Sequence, residues 1–329
     1  MIITQTPLRI SFLGGGTDYP EHFRHHGGAV LATSINKYVY LTVQPLTRFF
    51  DYRIRISYSR TELCSHVDEI QHPSVRECLK FLGIEGGIEI HVMSDLPART
   101  GLGSSSAFTV GLLHALHAFR GELVGREQLA AEAVLVERER IGERVGCQDQ
   151  YVAAHGGLLH ISFSPNDVVV TTPLVLSRER RQALESRLLI FYTGQQRTAH
   201  DILQEQLRRT REGKLTAELR DLQQLVAEGL RVLDSSRPLG EFGALLHEGW
   251  LLKRRFSQAV SNPLVDAAYE HARRAGAVGG KLLGAGGGGF LLLFVEPDQQ
   301  SAVRAALAYL REVPFSFDNQ GSRLVFYQP

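Results

Sequence analysis

The chain has little that would commit it to a membrane, a nucleic acid or an oxidising compartment. Only three of its 329 residues are cysteine. Cys64, Cys78 and Cys147 are too few and too scattered for a disulfide framework or a zinc site. Neither sign of charge is in excess, since 36 basic and 35 acidic residues leave a formal net charge of +1. That balance removes any general pull toward nucleic acid or acidic membranes, and neither partner is expected. The one basic patch, around Arg208–Arg211, reads as a solvated helix face. No apolar run reaches the ~20 residues a membrane helix needs. The start, Met1-Ile2-Ile3-Thr4, lacks a basic stretch followed by an apolar core, so no secretory signal is expected there. The histidines show neither ligand spacing with cysteine nor a His-Glu-x-x-His pattern, and His25-His26 reads as a loop pair. Repeats, low-complexity tracts and long linkers are lacking too. The expectation is a cytoplasmic protein of two ordinary domains.

What is there is glycine in informative places. The run Leu96-Pro97-Ala98-Arg99-Thr100-Gly101-Leu102-Gly103-Ser104-Ser105-Ser106-Ala107 is a glycine-broken loop ending in hydroxyl residues. Before it, Ile88–Met93 alternates apolar and polar like a strand. After it, Phe108, Leu112, Leu116 and Phe119 recur at helical spacing. Strand, glycine loop and helix N-terminus together form an anion cradle, because free N–H groups and the helix dipole point at the ligand. No Gly-Lys-Ser/Thr follows, so this is not a Walker A loop, and the spacing does not fit a dinucleotide fingerprint. The plainer alternative is a helix capped by Ser104 after an ordinary turn.

Strands and helices mix from the start, as in α/β or α+β chains. Leu8–Leu13, Lys37–Gln44, Tyr52–Ser59, Leu158–Phe163 and Val168–Thr172 read as strands, and a helix is expected over Arg126–Arg144. The pattern restarts near Arg187. Leu188–Tyr192 reads as a strand and is followed by long amphipathic helices, then a glycine run from Gly284 to Gly289 and the strand Phe290–Val295. A boundary is expected at 185, dividing the chain into residues 1–185 and 186–329.

Two carboxylates stand out. Glu137 shares a helix face with Ala130, Ala133, Val134 and Ile141, so it should point inward. An inward carboxylate is costly unless it is paired or metal-bound. It therefore reads as either a Mg²⁺ ligand or a partner of Arg140 or Arg9. Asp149 follows twelve residues later in Gly146-Cys147-Gln148-Asp149-Gln150. Near the N-terminus, Asp18 either serves the site or caps a helix starting at Pro20.

Three motifs in order resemble the GHMP kinase superfamily: Pro7–Tyr19 around Gly14-Gly15-Gly16-Thr17-Asp18, the Leu96–Ala107 loop, and Gly280–Phe290. The resemblance spans essentially the whole chain. It implies an α+β fold with a ribosomal-S5-like N-terminal domain and a ferredoxin-like C-terminal domain. It implies ATP and Mg²⁺, with Arg99, Thr100, Gly101, Leu102, Gly103, Ser104, Ser105 and Ser106 around the nucleotide phosphates. Ser105 and Glu137 would hold Mg²⁺. Asp149 would take the proton of the attacking hydroxyl, with Arg9 beside it. Gly15, Gly16, Thr17 and Asp18 would meet the sugar, and Gly287 would close the site from the second domain.

Galactokinases carry Gly-Glu-His-Thr-Asp-Tyr where this chain has Gly14-Gly15-Gly16-Thr17-Asp18-Tyr19. The glycine-rich version is similar to that of the D-glycero-D-manno-heptose 7-phosphate kinases, as are Thr193–Arg197 and Trp250–Arg254. The implied activity is phosphorylation of the anomeric hydroxyl of that sugar phosphate. The alternatives are a kinase for a free sugar such as fucose or galactose, or a non-catalytic sugar- or nucleotide-binding regulator. A phosphorylated acceptor needs a second cationic pocket, for which Arg197, Lys253, Arg254 and Arg99 are candidates. The resemblance also leaves room for a homodimer.

Overall fold

A computed structural model of the chain describes residues 1–194 and 200–328. The first half comprises β1 (Ile2–Leu13), α1 (Pro20–His26), β2 (Gly28–Pro45), β3 (Ile54–Ser57), β4 (Thr61–Cys64), α2 (Pro73–Phe81), β5 (Ile88–Ser94), α3 (Ser104–Phe119), α4 (Arg126–Leu135), α5 (Gln148–His155), β6 (Leu158–Phe163), β7 (Val169–Pro173) and α6 (Arg178–Glu185). The second half continues with β8 (Leu188–Tyr192), α7 (His200–Arg211), α8 (Thr216–Leu233), α9 (Gly240–Arg254), α10 (Pro263–Arg274), β9 (Ala277–Leu282), β10 (Phe290–Val295), α11 (Gln300–Ala306), β11 (Arg311–Glu312) and β12 (Arg323–Tyr327).

The first sheet is organised around β2. The strand expected over Lys37–Gln44 is the second part of an 18-residue strand. β1 pairs antiparallel along both parts, while β6 pairs with residues 28–33 and β5 with residues 39–45. The sheet runs β12-β1-β2-β5-β3-β4, with β6 and β7 branching from β2. Helix α3 lies on β1 and β2 and is buried nearly all round, not on one stripe. Gly111 allows that approach, because a Cβ there would stand 2.6 Å from Thr6 Oγ1. His25 and His26 belong to α1 and not to a loop.

The second sheet, β11-β8-β10-β9, is antiparallel throughout. β10 is buried along its whole length. Its alternate residues face two cores, as strand geometry requires. Phe290, Leu292 and Phe294 join the core of the first half, while Leu291, Leu293 and Val295 join Trp250, Tyr269 and Phe256 beneath the helices. The second sheet begins at Leu188, just past the expected division at 185. Strand β12, however, leaves the second half and pairs antiparallel with β1. No helix among the described residues is long and apolar enough to cross a membrane.

Candidate active site

The site lies where the glycine loops of the two halves meet. The loop before α3 reaches the helix through Gly103, a left-handed residue (φ 72°) that supplies no side-chain cap. Ser104 is therefore the first helical residue and not the cap, and the first-turn amides lack a side-chain acceptor. Gly101 (φ +88°) packs against the second glycine loop so closely that a Cβ would stand 2.4 Å from Leu283 O. A Cβ on Gly289 would similarly meet Thr100 O at 2.3 Å. The second loop is held from its own side. Gly287 N donates to Val260 O at 3.0 Å, and Asn262 Nδ2 donates to Gly287 O at 3.1 Å. Leu102 and Thr100 are buried, whereas Arg99 is exposed at a positive φ of 61°.

Arg9 and Asp149 form the centre. Arg9 Nε donates to Asp149 Oδ1 and Arg9 Nη2 to Oδ2, both at 2.7 Å, while Nη1 donates to Gly101 O at 2.6 Å. The guanidinium side chain is 6% exposed and the carboxylate 23%. This bidentate pair fixes the carboxylate plane and leaves one edge accessible. A Cβ on Gly103 would sit 3.3 Å from Asp149 Oδ2, so the loop backbone passes directly over the carboxylate.

Asp18 does not cap α1, whose N-cap is Tyr19 without a side-chain bond. It is 1% exposed and accepts from Gly16 N at 2.9 Å and Gln148 Nε2 at 3.0 Å. Burial raises its pKa, opposed by Gly16 N–H and reinforced by the negative charge of Asp149. Beside it, Ser11 Oγ and Gln148 Oε1 are buried with no hydrogen-bond partner among the described residues. A Cβ on Gly15 would lie 3.5 Å from Ser11 Oγ and 3.7 Å from Gln148 Nε2. These groups converge on one small space with unused capacity to donate and accept. Thr17 does not contribute to it. Its hydroxyl is fully buried and engaged with Gly14 O, Ala29 O and Ala29 N, so it fastens the loop to β2 and does not face a ligand.

Glu137 is fully buried, as its helical neighbours required. The helix expected over Arg126–Arg144 is regular only to Leu135 and then widens into a π turn over Val136–Arg140. Such turns recur at functional sites. Among the described residues no arginine pairs with Glu137: Arg9 is committed to Asp149, and Arg140 lies 3.9 Å from Glu77. Oε2 accepts from Ser106 Oγ at 2.9 Å and from Gln150 Nε2 at 2.5 Å, the Thr109 hydroxyl stands beside the carboxyl, and Oε1 meets the hydrogen-bond geometry with no other described residue. Burial pushes the carboxyl pKa up to about 7, against the lowering effect of its hydrogen bonds. An unpartnered buried carboxylate oxygen beside a hydroxyl and a phosphate-type loop suits a hard divalent cation. Ser106, and not Ser105, donates to Glu137, while Ser105 is exposed on the first turn of α3.

Lys253 donates to Gly284 O of the second loop, and burial together with the charge of Arg9 lowers its pKa to about 8. Arg254 is turned away onto Asp266 at 3.2 Å. Arg197 lies outside the described residues. Among the groups the sequence reading passed over are Ser11, Gln148, Gln150 and Lys281. Ser11 could have been found by strand period, being two residues from Arg9 on the same face of β1. Lys281 is 6% exposed, and its Nζ donates to Phe12 O at 2.8 Å, tying β9 to β1. Nothing in its local spacing announces that contact.

A βα glycine loop facing a second glycine loop, with an arginine-held aspartate between them, defines a phosphotransferase that does not use a Walker loop. Comparison with known proteins agrees. Residues 72–157 match the GHMP kinases N terminal domain, and residues 223–311 match the GHMP kinases C terminal domain. A D-glycero-alpha-D-manno-heptose 7-phosphate kinase of Campylobacter jejuni is 30% identical over 97% of each chain. A bifunctional fucokinase/GDP-fucose pyrophosphorylase of Arabidopsis thaliana is 26% identical over 90% of this chain, which spans only 30% of that protein. A solved D-glycero-D-manno-heptose 1-phosphate kinase from Bacteriodes thetaiotaomicron superposes with a TM-score of 0.80 over 100% of both chains at 25% identity. The chain belongs to the GHMP kinase family and has its α+β fold. GHMP kinases use ATP as the phosphate donor.

Proposed function

We propose that the protein transfers the γ-phosphoryl group of ATP to the anomeric hydroxyl of D-glycero-D-manno-heptose 7-phosphate, yielding the 1,7-bisphosphate. The observation that carries this reading is the Arg9–Asp149 pair, held bidentate at 2.7 Å directly under the glycine loop. The similarity to the Campylobacter heptose 7-phosphate kinase supports the choice of sugar.

The step is a substitution at phosphorus. A bond forms between the anomeric oxygen and the γ-phosphorus, the bond from that phosphorus to the ADP oxygen breaks, and the hydroxyl proton goes to Asp149. An anomeric hydroxyl is more acidic than an ordinary alcohol, so a carboxylate suffices as base. Arg9 holds the Asp149 carboxylate in orientation and offers positive charge to the transferring group. The first-turn amides of α3 bind phosphate oxygens. Glu137 and Ser106 would hold Mg²⁺, which when bound neutralises phosphate charge. Asp18, Ser11 and Gln148 orient the sugar hydroxyls. Most of the acceleration in such a site comes from positioning and charge neutralisation.

The test is an ATP-consumption assay with Mg²⁺ in which heptose 7-phosphate, free heptose, fucose, galactose and mannose are offered side by side. Turnover confined to the 7-phosphate is expected. Turnover on a free sugar instead would overturn the choice of acceptor. Binding of ATP without turnover on any sugar would point to a regulator.

A further inference from the structure

A second chamber lies beyond the Asp149 site. It is a cavity of about 430 Å³ between α1, Arg138 and the C-terminal end of α7. Its walls set two guanidiniums around one carboxylate. Arg211 Nη2 lies 2.8 Å from Glu21 Oε1, and Arg138 Nη2 lies 3.7 Å from Glu21 Oε2, beyond hydrogen-bond reach. Arg138 also donates to Val145 O, which fixes its head. Arg24 is committed elsewhere, to Asp167 at 2.7 Å.

Two buried polar atoms of this wall have no hydrogen-bond partner among the described residues: Glu21 Oε2 and His22 Nε2. His22 is 2% exposed. Burial, with the charges of His26 and His25, pulls its pKa down to about 4, so its imidazole is neutral at physiological pH. Buried groups left in this state are uncommon and call for a partner.

The chemistry of the wall discriminates among ligands. A bare cation would be repelled by the two arginines. A bare phosphate would face Glu21 and leave its Oε2 unsatisfied. A phosphomonoester that also carries hydroxyls satisfies every group: its oxygens take the arginines, and a hydroxyl donates to Glu21 and pairs with His22.

The position points the same way. The wall residue Pro20 follows Asp18 by two residues. Thr210, also in the wall, is one helical turn beyond Gln206, whose Nε2 would lie 3.3 Å from a Cβ on Gly16. The chamber therefore adjoins the sugar loop, Pro20 in its wall and Asp18 in the loop being joined through Tyr19 in the chain. We propose that it receives the phosphorylated, hydroxylated tail of the acceptor while the other end of the acceptor meets Asp149. This inference rests on the sugar-phosphate reading above and gives the second cationic pocket to Arg138 and Arg211, in place of Lys253 or Arg254.

The test compares heptose 7-phosphate with free heptose in the wild type, in Arg211→Gln and in Arg138→Gln. Arg211→Gln keeps the test decisive, because that side chain is 64% exposed and the fold does not depend on it. Loss of a charge-assisted contact should lower the kcat/KM preference for the 7-phosphate about tenfold or more, through KM for that acceptor. KM for ATP should stay unchanged. If the wild type makes no distinction between the two sugars, the sugar-phosphate reading itself fails. If the wild type distinguishes them and both variants keep the full preference, the chamber is not the tail site. Glycerol 3-phosphate, which carries the same chemistry, should inhibit competitively with the acceptor. Noncompetitive inhibition abolished in Arg211→Gln would assign the chamber to a separate phosphorylated ligand and overturn the proposal.

Discussion

Replacing Glu137 with Gln should stabilise the metal-free protein. The wild-type carboxyl has its pKa raised from 4.5 to about 7 because it is fully buried. The native state therefore binds this proton more tightly than the unfolded chain does. Stability should fall as pH rises from about 4.5 to about 7 and stay at the lower level above that. At 1.36 kcal/mol per pH unit, the total loss is about 3 kcal/mol. For a chain of 329 residues that corresponds to roughly 5 °C in Tm. Glutamine keeps the hydrogen-bonding shape toward Ser106 and Gln150 but carries no charge to bury, so the variant should lack this loss.

The assay is thermal unfolding of both proteins between pH 5 and pH 8, taken as a difference, since Asp18 and His22 also titrate abnormally. The variant should gain on the wild type as pH rises. Adding Mg²⁺ with a non-hydrolysable ATP analogue should reverse the order, because the bound cation then rewards the ionised carboxylate. Parallel curves for the two proteins at every pH would refute the argument that Glu137 is a strained carboxylate awaiting a cation. So would an equal response of both to Mg²⁺.

Two further outcomes follow from the site. Asp149→Asn should lower kcat by about 10²- to 10⁴-fold, the range of a general base, with calorimetric affinity for an ATP analogue nearly retained. Turnover close to wild type would take the base role from Asp149. Gly101→Ala should force the two glycine loops apart, since the new Cβ would meet Leu283 O at 2.4 Å on a backbone of φ +88°. A stability loss of about 1–3 kcal/mol with weakened nucleotide binding is expected; unchanged Tm and affinity would mean that the contact is not a clamp.

Much of this was legible in the chain where local pattern and tertiary role coincide. Ser104–Phe119 and Phe290–Val295 appear at their expected bounds because a helix N-terminus and a buried strand both carry strong local signals. The inward direction of Glu137 was readable from its apolar neighbours, but the π turn that carries it was not, since no residue type marks that turn. Ser105 and Ser106 could not be told apart by spacing, because which hydroxyl meets Glu137 depends on the exact rotation of the first turn of α3. Thr17 was a ligand candidate through the resemblance alone, and nothing in the local sequence shows that Gly14 O and Ala29 O engage its hydroxyl. Arg138 and Arg211 lie 73 positions apart in the chain; the π turn brings the first to Glu21 and the packing of α7 beside α1 brings the second.

The return of β12 to β1 has a consequence for how the molecule is made. Ile2 to Gln5 pair with residues 323 to 327, so the edge of this sheet is finished by a strand synthesised long after β1. Until then β1 presents a free edge, and free edges invite pairing with other chains. Contacts this distant in sequence are also slow to form. Folding of the first half should thus depend on prior synthesis of residues 323 to 327, and a nascent chain arrested before residue 323 should need a chaperone more than one that includes β12.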